Sequence, residues 1–122
     1  MAKILIVDDD RQLTELVANI MLMEGHQPTS LNDSTKAMEI ASSLTPDLFV
    51  LDLMMPEPNG FELCRALRTN TTFANTPIVI ITAMEDSDSK AIAYVAGAND
   101  YVTKPFNPED LVKRVKTLLR KK

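Results

Sequence analysis

Cysteine occurs once, at Cys64, so no internal disulfide can staple this chain, and a reducing, cytoplasmic setting is expected. Long apolar runs are missing too. Phe49-Val50-Leu51 and Ile78 to Ile81 fall far short of the ~20 residues a membrane span needs. Met1-Ala2-Lys3 leads straight into a strand-like run with no signal-peptide pattern, so no membrane partner is expected. There are three glycines, and none lies in the first strand-to-helix turn, which excludes the phosphate loop of a dinucleotide-binding domain. The one histidine, His26, follows Gly25 without cysteine or acidic partners at metal-ligand spacing and reads as a turn residue. Basic charge is outweighed: Lys and Arg number 13 against 17 Asp and Glu, for a net charge of −4 and a pI near 4.9. That balance argues against direct nucleic-acid binding through a general positive field. No Ser/Gly linker, repeat or low-complexity segment interrupts the 122 residues, so 1–122 reads as one domain with one core.

What is present is a rhythm. Five short apolar runs rich in β-branched residues recur at Ile4 to Val7, Gln27 to Leu31, Leu48 to Leu53, Ile78 to Thr82 and Tyr101 to Thr103. Helix-period stripes lie between and after them. Leu13, Leu16, Val17 and Ile20 form one, and Ala37, Ile40, Ala41 and Leu44 another. Phe61, Cys64 and Leu67 follow, then a weak set of Ile92, Val95 and Ala96, then a strong one of Leu111, Val112, Val115, Leu118 and Leu119. Apolar runs without alternation, each followed by a helix, are what a parallel sheet covered on both faces requires. The pattern is α/β, (βα)₅.

Boundary residues agree. Asp10 and either Asn32 or Asp33 suit helix starts, Gly25 and Gly97 suit helix ends, and Pro108 suits a first turn. Thr45-Pro46-Asp47 breaks the chain before the third strand. The seven methionines read as core filling, and the basic tail of Lys113, Arg114, Lys116, Arg120, Lys121 and Lys122 as a complement to the last helix's dipole.

Ligands of open α/β sheets sit at the carboxyl ends of the strands. Here those ends carry Asp8-Asp9-Asp10, Asp52, Thr82 and Thr103-Lys104-Pro105. Asp8 to Asp10 taken alone would be a solvated helix start. Asp52 is different, because an acid inside Phe49-Val50-Leu51-Asp52-Leu53-Met54-Met55 is costly to bury without a partner. Asp8, Asp9 and Asp52 brought together would repel unless a cation neutralised them. Oxygen-only donors favour Mg²⁺ over zinc, while Lys104 offers a movable ammonium and Thr82 a hydroxyl. Such parts suit phosphoryl transfer, in which a protein mostly positions groups and neutralises charge.

Ile6-Val7-Asp8-Asp9-Asp10, Leu51-Asp52-Leu53-Met54-Met55-Pro56 with Gly60, Ile80-Ile81-Thr82-Ala83 and Tyr101-Val102-Thr103-Lys104-Pro105-Phe106 resemble, in order and spacing, the four motifs of two-component response-regulator receiver domains. The resemblance spans essentially the whole chain. It implies a flavodoxin-like three-layer sandwich with parallel strand order 2-1-3-4-5. It implies that Asp52 accepts a phosphoryl group from a phosphohistidine on a sensor histidine kinase or histidine phosphotransfer protein. Mg²⁺, with Mn²⁺ as a substitute, would be held by Asp9, Asp52 and the backbone carbonyl of Met54, with Asp8 acting through water. Lys104 would pair with the phosphoryl group ahead of a cis bond to Pro105, and Thr82 and Tyr101 would relay the change to the face of helix 4, strand 5 and helix 5.

Tyr101 is equally readable as a plain core or surface aromatic, and both readings stand at this point. The segment Lys90 to Gly97, with its thin apolar stripe, is expected to shift at low cost. The resemblance further implies an output domain or target protein, and a homodimer through the same face. Pro58-Asn59 departs from the family pattern before Gly60, and Met54 and Met84 stand at positions that in the family tune water access to the acyl phosphate, so the resemblance implies slowed self-dephosphorylation. A phosphatase of the haloacid-dehalogenase type, which needs an acid two residues after its nucleophile, is excluded by Met54. A receiver-like binding module that works without phosphorylation is the alternative, and the intact acidic set argues against it.

Overall fold

The computed structural model describes residues 1–120; Lys121 and Lys122, the end of the basic tail, lie outside the described residues. Five strands alternate with five helices: β1 Lys3–Val7, α1 Arg11–Met23, β2 Gln27–Leu31, α2 Ala37–Leu44, β3 Leu48–Leu51, α3 Gly60–Thr69, β4 Ile78–Thr82, α4 Ser87–Ala96, β5 Asp100–Thr103 and α5 Pro108–Arg120. All strands are parallel, in the order β2-β1-β3-β4-β5. This is the expected flavodoxin-like sandwich.

Strand alternation divides the core into two layers. Leu5, Val7, Phe49, Leu51, Ile78 and Ile80 pack toward α2, α3 and α4, with Leu63, Cys64, Leu67 and Phe73. Ile4, Ile6, Leu48, Val50, Val79 and Ile81 pack toward α1 and α5, with Val17, Met21, Leu111 and Val115. Both faces of the sheet are therefore covered over the central strands β1, β3 and β4, while the edge strand β2 carries the partly exposed Thr29 and the exposed Ser30.

Local chemistry starts the helices. Asp10 accepts hydrogen bonds from the amides of Gln12 and Leu13 at the start of α1. Asn59 and Glu62 form a reciprocal capping box on α3, and Asp86 caps α4 through the Ser89 amide. Gly25 (φ 84°) and Gly97 (φ 120°) take the positive-φ positions that close α1 and α4.

Several expectations are corrected. Of the two candidate caps Asp33 is the one used, but on a short 3₁₀ turn, Ser34–Lys36, that runs directly into α2; α2 itself starts at Ala37 without a side-chain cap. The third strand ends at Leu51, so Asp52 lies just past it, although its amide still bonds to the Val7 carbonyl of β1. Leu16 of α1 is exposed, its inward place taken by Met21. On α4, Ser89, Ala93 and Ala96 face inward, while Ile92 and Val95 of the expected stripe face solvent. Met1, Met23 and Met54 are exposed rather than core filling. Among the described residues of the basic tail, Arg120 alone stands in the last turn of α5; Arg114 is engaged by Asp100 and Asp110.

Candidate functional site

Parallel pairing brings the strand ends to one rim, and main-chain bonds extend past the strands to hold the residues that follow. The Asp8 amide donates to the Leu31 carbonyl (3.1 Å), and the Asp52 amide to the Val7 carbonyl (3.1 Å). The Lys104 amide donates to the Thr82 carbonyl (2.8 Å), just beyond the Thr82–Thr103 pair. The segments that follow β1, β3, β4 and β5 thus meet with their backbones held before any side chain acts.

The side chains then converge. Asp8, Asp9 and Asp52 each offer a carboxylate oxygen, and these atoms lie within 4.8 Å of one another. Lys104 Nζ bridges two of the acids, at 3.1 Å from Asp8 Oδ2 and 3.2 Å from Asp52 Oδ2. Asp52 is only 5 % exposed, and its other oxygen, Oδ1, accepts from the Met54 amide at 3.2 Å. Asp9 stands exposed at the mouth. Gly60 closes the floor: a Cβ there would fall 2.2 Å from the Asp52 carbonyl oxygen, so only hydrogen fits.

Electrostatics follow from this crowding. Burial, reinforced by the Asp52 charge, raises the Asp8 carboxyl from 3.8 to about 6, against the lowering effect of the Asp10 amide and Lys104. For Lys104, burial opposes the charge, but Asp52 and Asp8 outweigh it and hold the ammonium above its ordinary pKa. The donor set is all oxygen and its negative charge exceeds that of the one lysine, so the residues present fit a hard divalent cation.

Thr82 is buried beside this cluster, and its Oγ1 accepts from the Met84 amide at 3.4 Å. Tyr101 is turned inward, its hydroxyl donating to the Met84 carbonyl at 2.8 Å. The main-chain N–H and C=O of Met84 are therefore both engaged, the first by Thr82 and the second by Tyr101. The Lys104–Pro105 bond is cis, as is Glu57–Pro58. For Met54 the contact with Asp52 is made by its amide, while its side chain points to solvent. Sequence reasoning missed Asn32, whose amide group donates to the Asp8 carbonyl; the assignment to a helix cap concealed it.

A family model described as response regulator receiver domain matches residues 4–116. The chain belongs to the response-regulator receiver family. As a receiver domain of two-component signalling it has relatives that agree in sequence. It is 40% identical over 119 residues to the DNA-binding response regulator MtrA of Mycobacterium tuberculosis, covering 98% of this chain and 51% of the relative. It is 39% identical over 121 residues to the DNA-binding dual master transcriptional regulator RpaA of Synechocystis, covering 99% and 50%. The receiver thus spans about half the length of the curated relatives it matches. Among solved structures, a response regulator from Chloroflexus aurantiacus superposes with a TM-score of 0.93 at 33% identity, covering 98% of each chain. The BeF3-activated N-terminal receiver domain of Klebsiella pneumoniae RstA does so with 0.91 at 30%, covering 97% of this chain and 98% of that one.

Proposed function

We propose that Asp52 is the phosphoacceptor of this receiver and that the domain acts as a Mg²⁺-dependent phosphorylated switch. The observation that carries this reading is the Asp52 carboxylate itself: buried, 3.2 Å from Lys104 Nζ and clustered with Asp8 and Asp9. Asp9 and Asp52, with the Met54 carbonyl, would hold the ion directly, and Asp8 through water; Mn²⁺ would substitute. The ion supplies neutralisation of the phosphoryl oxygens.

The donor would be a phosphohistidine of a sensor histidine kinase or histidine phosphotransfer protein. One Asp52 oxygen attacks phosphorus, an O–P bond forms, and the N–P bond of the donor breaks as its imidazole leaves with the electron pair. Lys104 then turns its ammonium from the two carboxylates to a phosphoryl oxygen, which offers the same charge at the same rim. The domain assists its own phosphorylation and dephosphorylation and turns over no external substrate.

The switch uses the Met84 peptide. A phosphoryl oxygen draws the Thr82 hydroxyl inward, the Met84 amide loses its acceptor, and the loop that holds Tyr101 relaxes. Tyr101 is in this reading a working switch residue, and the face of α4, β5 and α5 changes with it. That face would serve a target, an output domain or a second copy. The whole domain, residues 1–122, would work in the cytoplasm; among the described residues no helix is long and apolar enough to cross a membrane. Any DNA-directed output, as the names of the relatives suggest, would belong to another segment or partner, since this chain carries a net charge of −4.

Intact mass after incubation with acetyl phosphate tests this. Wild type is expected to gain one phosphoryl group only with Mg²⁺, and Asp52→Asn to gain none. No gain in wild type would leave a binding module that does not use acyl phosphate.

A further inference from the structure

We propose that Asn32 is a positioning residue for the metal-binding loop, acting through the main chain of Asp8; this rests on the reading of Asp8, Asp9 and Asp52 as a Mg²⁺ site. β2 ends at Leu31, and its last carbonyl takes the Asp8 amide at 3.1 Å. The next residue, Asn32, then uses its side chain where the ladder stops, donating from Nδ2 to the Asp8 carbonyl at 2.8 Å. The Asp8–Asp9 junction is thereby held from both sides of Asp8.

The amide is itself anchored. The same Nδ2 donates to Thr14 Oγ1 at 3.1 Å, and the Thr14 hydroxyl donates its single proton to the Arg11 carbonyl at 3.1 Å. Thr14 is buried, and both partners of Nδ2 can only accept, so this orientation of the amide is the one that satisfies the site. A two-bond bridge thus runs from the buried face of α1 to the peptide that leads into Asp9.

Asp9 needs such help more than its neighbours do. Asp8 is buried, with one oxygen on the Asp10 amide and the other on Lys104; Asp52 is held by the Met54 amide and Lys104. Asp9 is exposed, so the direction of its carboxylate depends on the peptide plane behind it. Groups that orient metal ligands from behind typically matter about tenfold or more for affinity. With one peptide intervening, removing the Asn32 donors is expected to weaken Mg²⁺ binding about three- to tenfold.

The test is a Mg²⁺ titration followed by amide chemical shifts, with thermal unfolding of the metal-free proteins alongside. Asn32→Leu keeps the shape and removes both donors; its dissociation constant should rise three- to tenfold. Thr14→Val removes only the anchor and should raise it by less. Val115→Ala, far from the rim, lowers stability without touching the loop and should leave the constant unchanged. Asp9→Asn separates the two readings. If Asp9→Asn binds Mg²⁺ as wild type does, the metal site is wrong. If Asp9→Asn loses binding while Asn32→Leu and Thr14→Val both stay within experimental error of wild type, the site stands and the positioning role falls. Equal weakening in Val115→Ala would also overturn it, since loss of stability alone would then explain the effect. Should Asn32→Leu fail to fold, Thr14→Val decides by the same criterion.

Discussion

At the scale of single residues, Asp8 carries a consequence that needs no phosphate. Its folded pKa, about 6, lies above the unfolded value of 3.8 because burial and Asp52 disfavour its charge. The folded state therefore binds this proton more tightly than the unfolded state. Its stabilising contribution is complete below about pH 4 and is lost as pH rises toward 6. In metal-free buffer, the urea midpoint of wild type should fall relative to Asp8→Asn across that window, because the amide has no proton to lose. Parallel curves for the two proteins would show that Asp8 does not titrate as its surroundings demand. Asp52 was readable in the sequence because an acid in an unbroken apolar run has few bland explanations. Asn32 was not, because its acceptor is a main-chain carbonyl 24 residues away and leaves no mark on periodicity.

At the scale of elements, α4 shows both what patterning captures and where it fails. Its inward face is built from Ser89, Ala93 and Ala96; of these the expected stripe contains Ala96, while Ser89 and Ala93 are too small or polar to stand out against Ile92 and Val95, which face solvent. The α5 stripe was read correctly at Leu111 and Val115 because large residues face a large gap. Position along the chain is equally silent about what holds the α4 C-terminus. Arg68 of α3 donates from Nε to the Gly97 carbonyl (3.0 Å) and from Nη1 to the carbonyls of Phe73 (2.8 Å) and Thr76 (2.6 Å). Its Nη2 donates to Asn99 Oδ1 at 2.7 Å. Among the described residues no carboxylate pairs with it, and burial lowers its pKa. The guanidinium is solvated by carbonyl dipoles alone, two in the turn before β4, one at the negative end of α4 and one from the Asn99 side chain. The expected softness of Lys90 to Gly97 thus meets a fixed point at its C-terminal end. Arg68→Met, which keeps the stem and removes the donors, should cost about 2–3 kcal/mol in urea unfolding. It should also raise hydrogen exchange at the amides of Gly97, Ala98 and Asn99 above that at Ser87 to Lys90. A cost below about 0.5 kcal/mol, as for an ordinary surface site, would mean that water replaces the guanidinium without penalty.

At the scale of the whole molecule, the two-sided core confines chemistry to the rim and communication to the surface beside it. The site is built from the segments after β1, β3, β4 and β5, and β5 also borders α4 and α5, so under the proposed switch a change at Lys104 or Tyr101 would emerge on that face. The face is unusually apolar for solvent. Val95 is 85 % exposed, and Ile92, one turn earlier on the same side of α4, is 46 % exposed. Tyr94 beside them has its pKa raised by burial and by Asp100, whose carboxylate binds Arg114 of α5. Scattered exposed apolar residues are ordinary, but a cluster edged by an ion pair is what an association surface looks like. With Mg²⁺ and beryllofluoride, a mimic of the phosphoryl group, wild type should self-associate through this face. Val95→Glu should place a charge at its centre and keep the protein monomeric by analytical ultracentrifugation. Because Val95 touches neither the acids nor Lys104, the variant should still gain a phosphoryl group from acetyl phosphate at the wild-type rate. Self-association that persists in Val95→Glu would move the interface to another face, and a loss of phosphorylation would mean that α4 reports back to Asp52 more strongly than the Met84 relay alone allows.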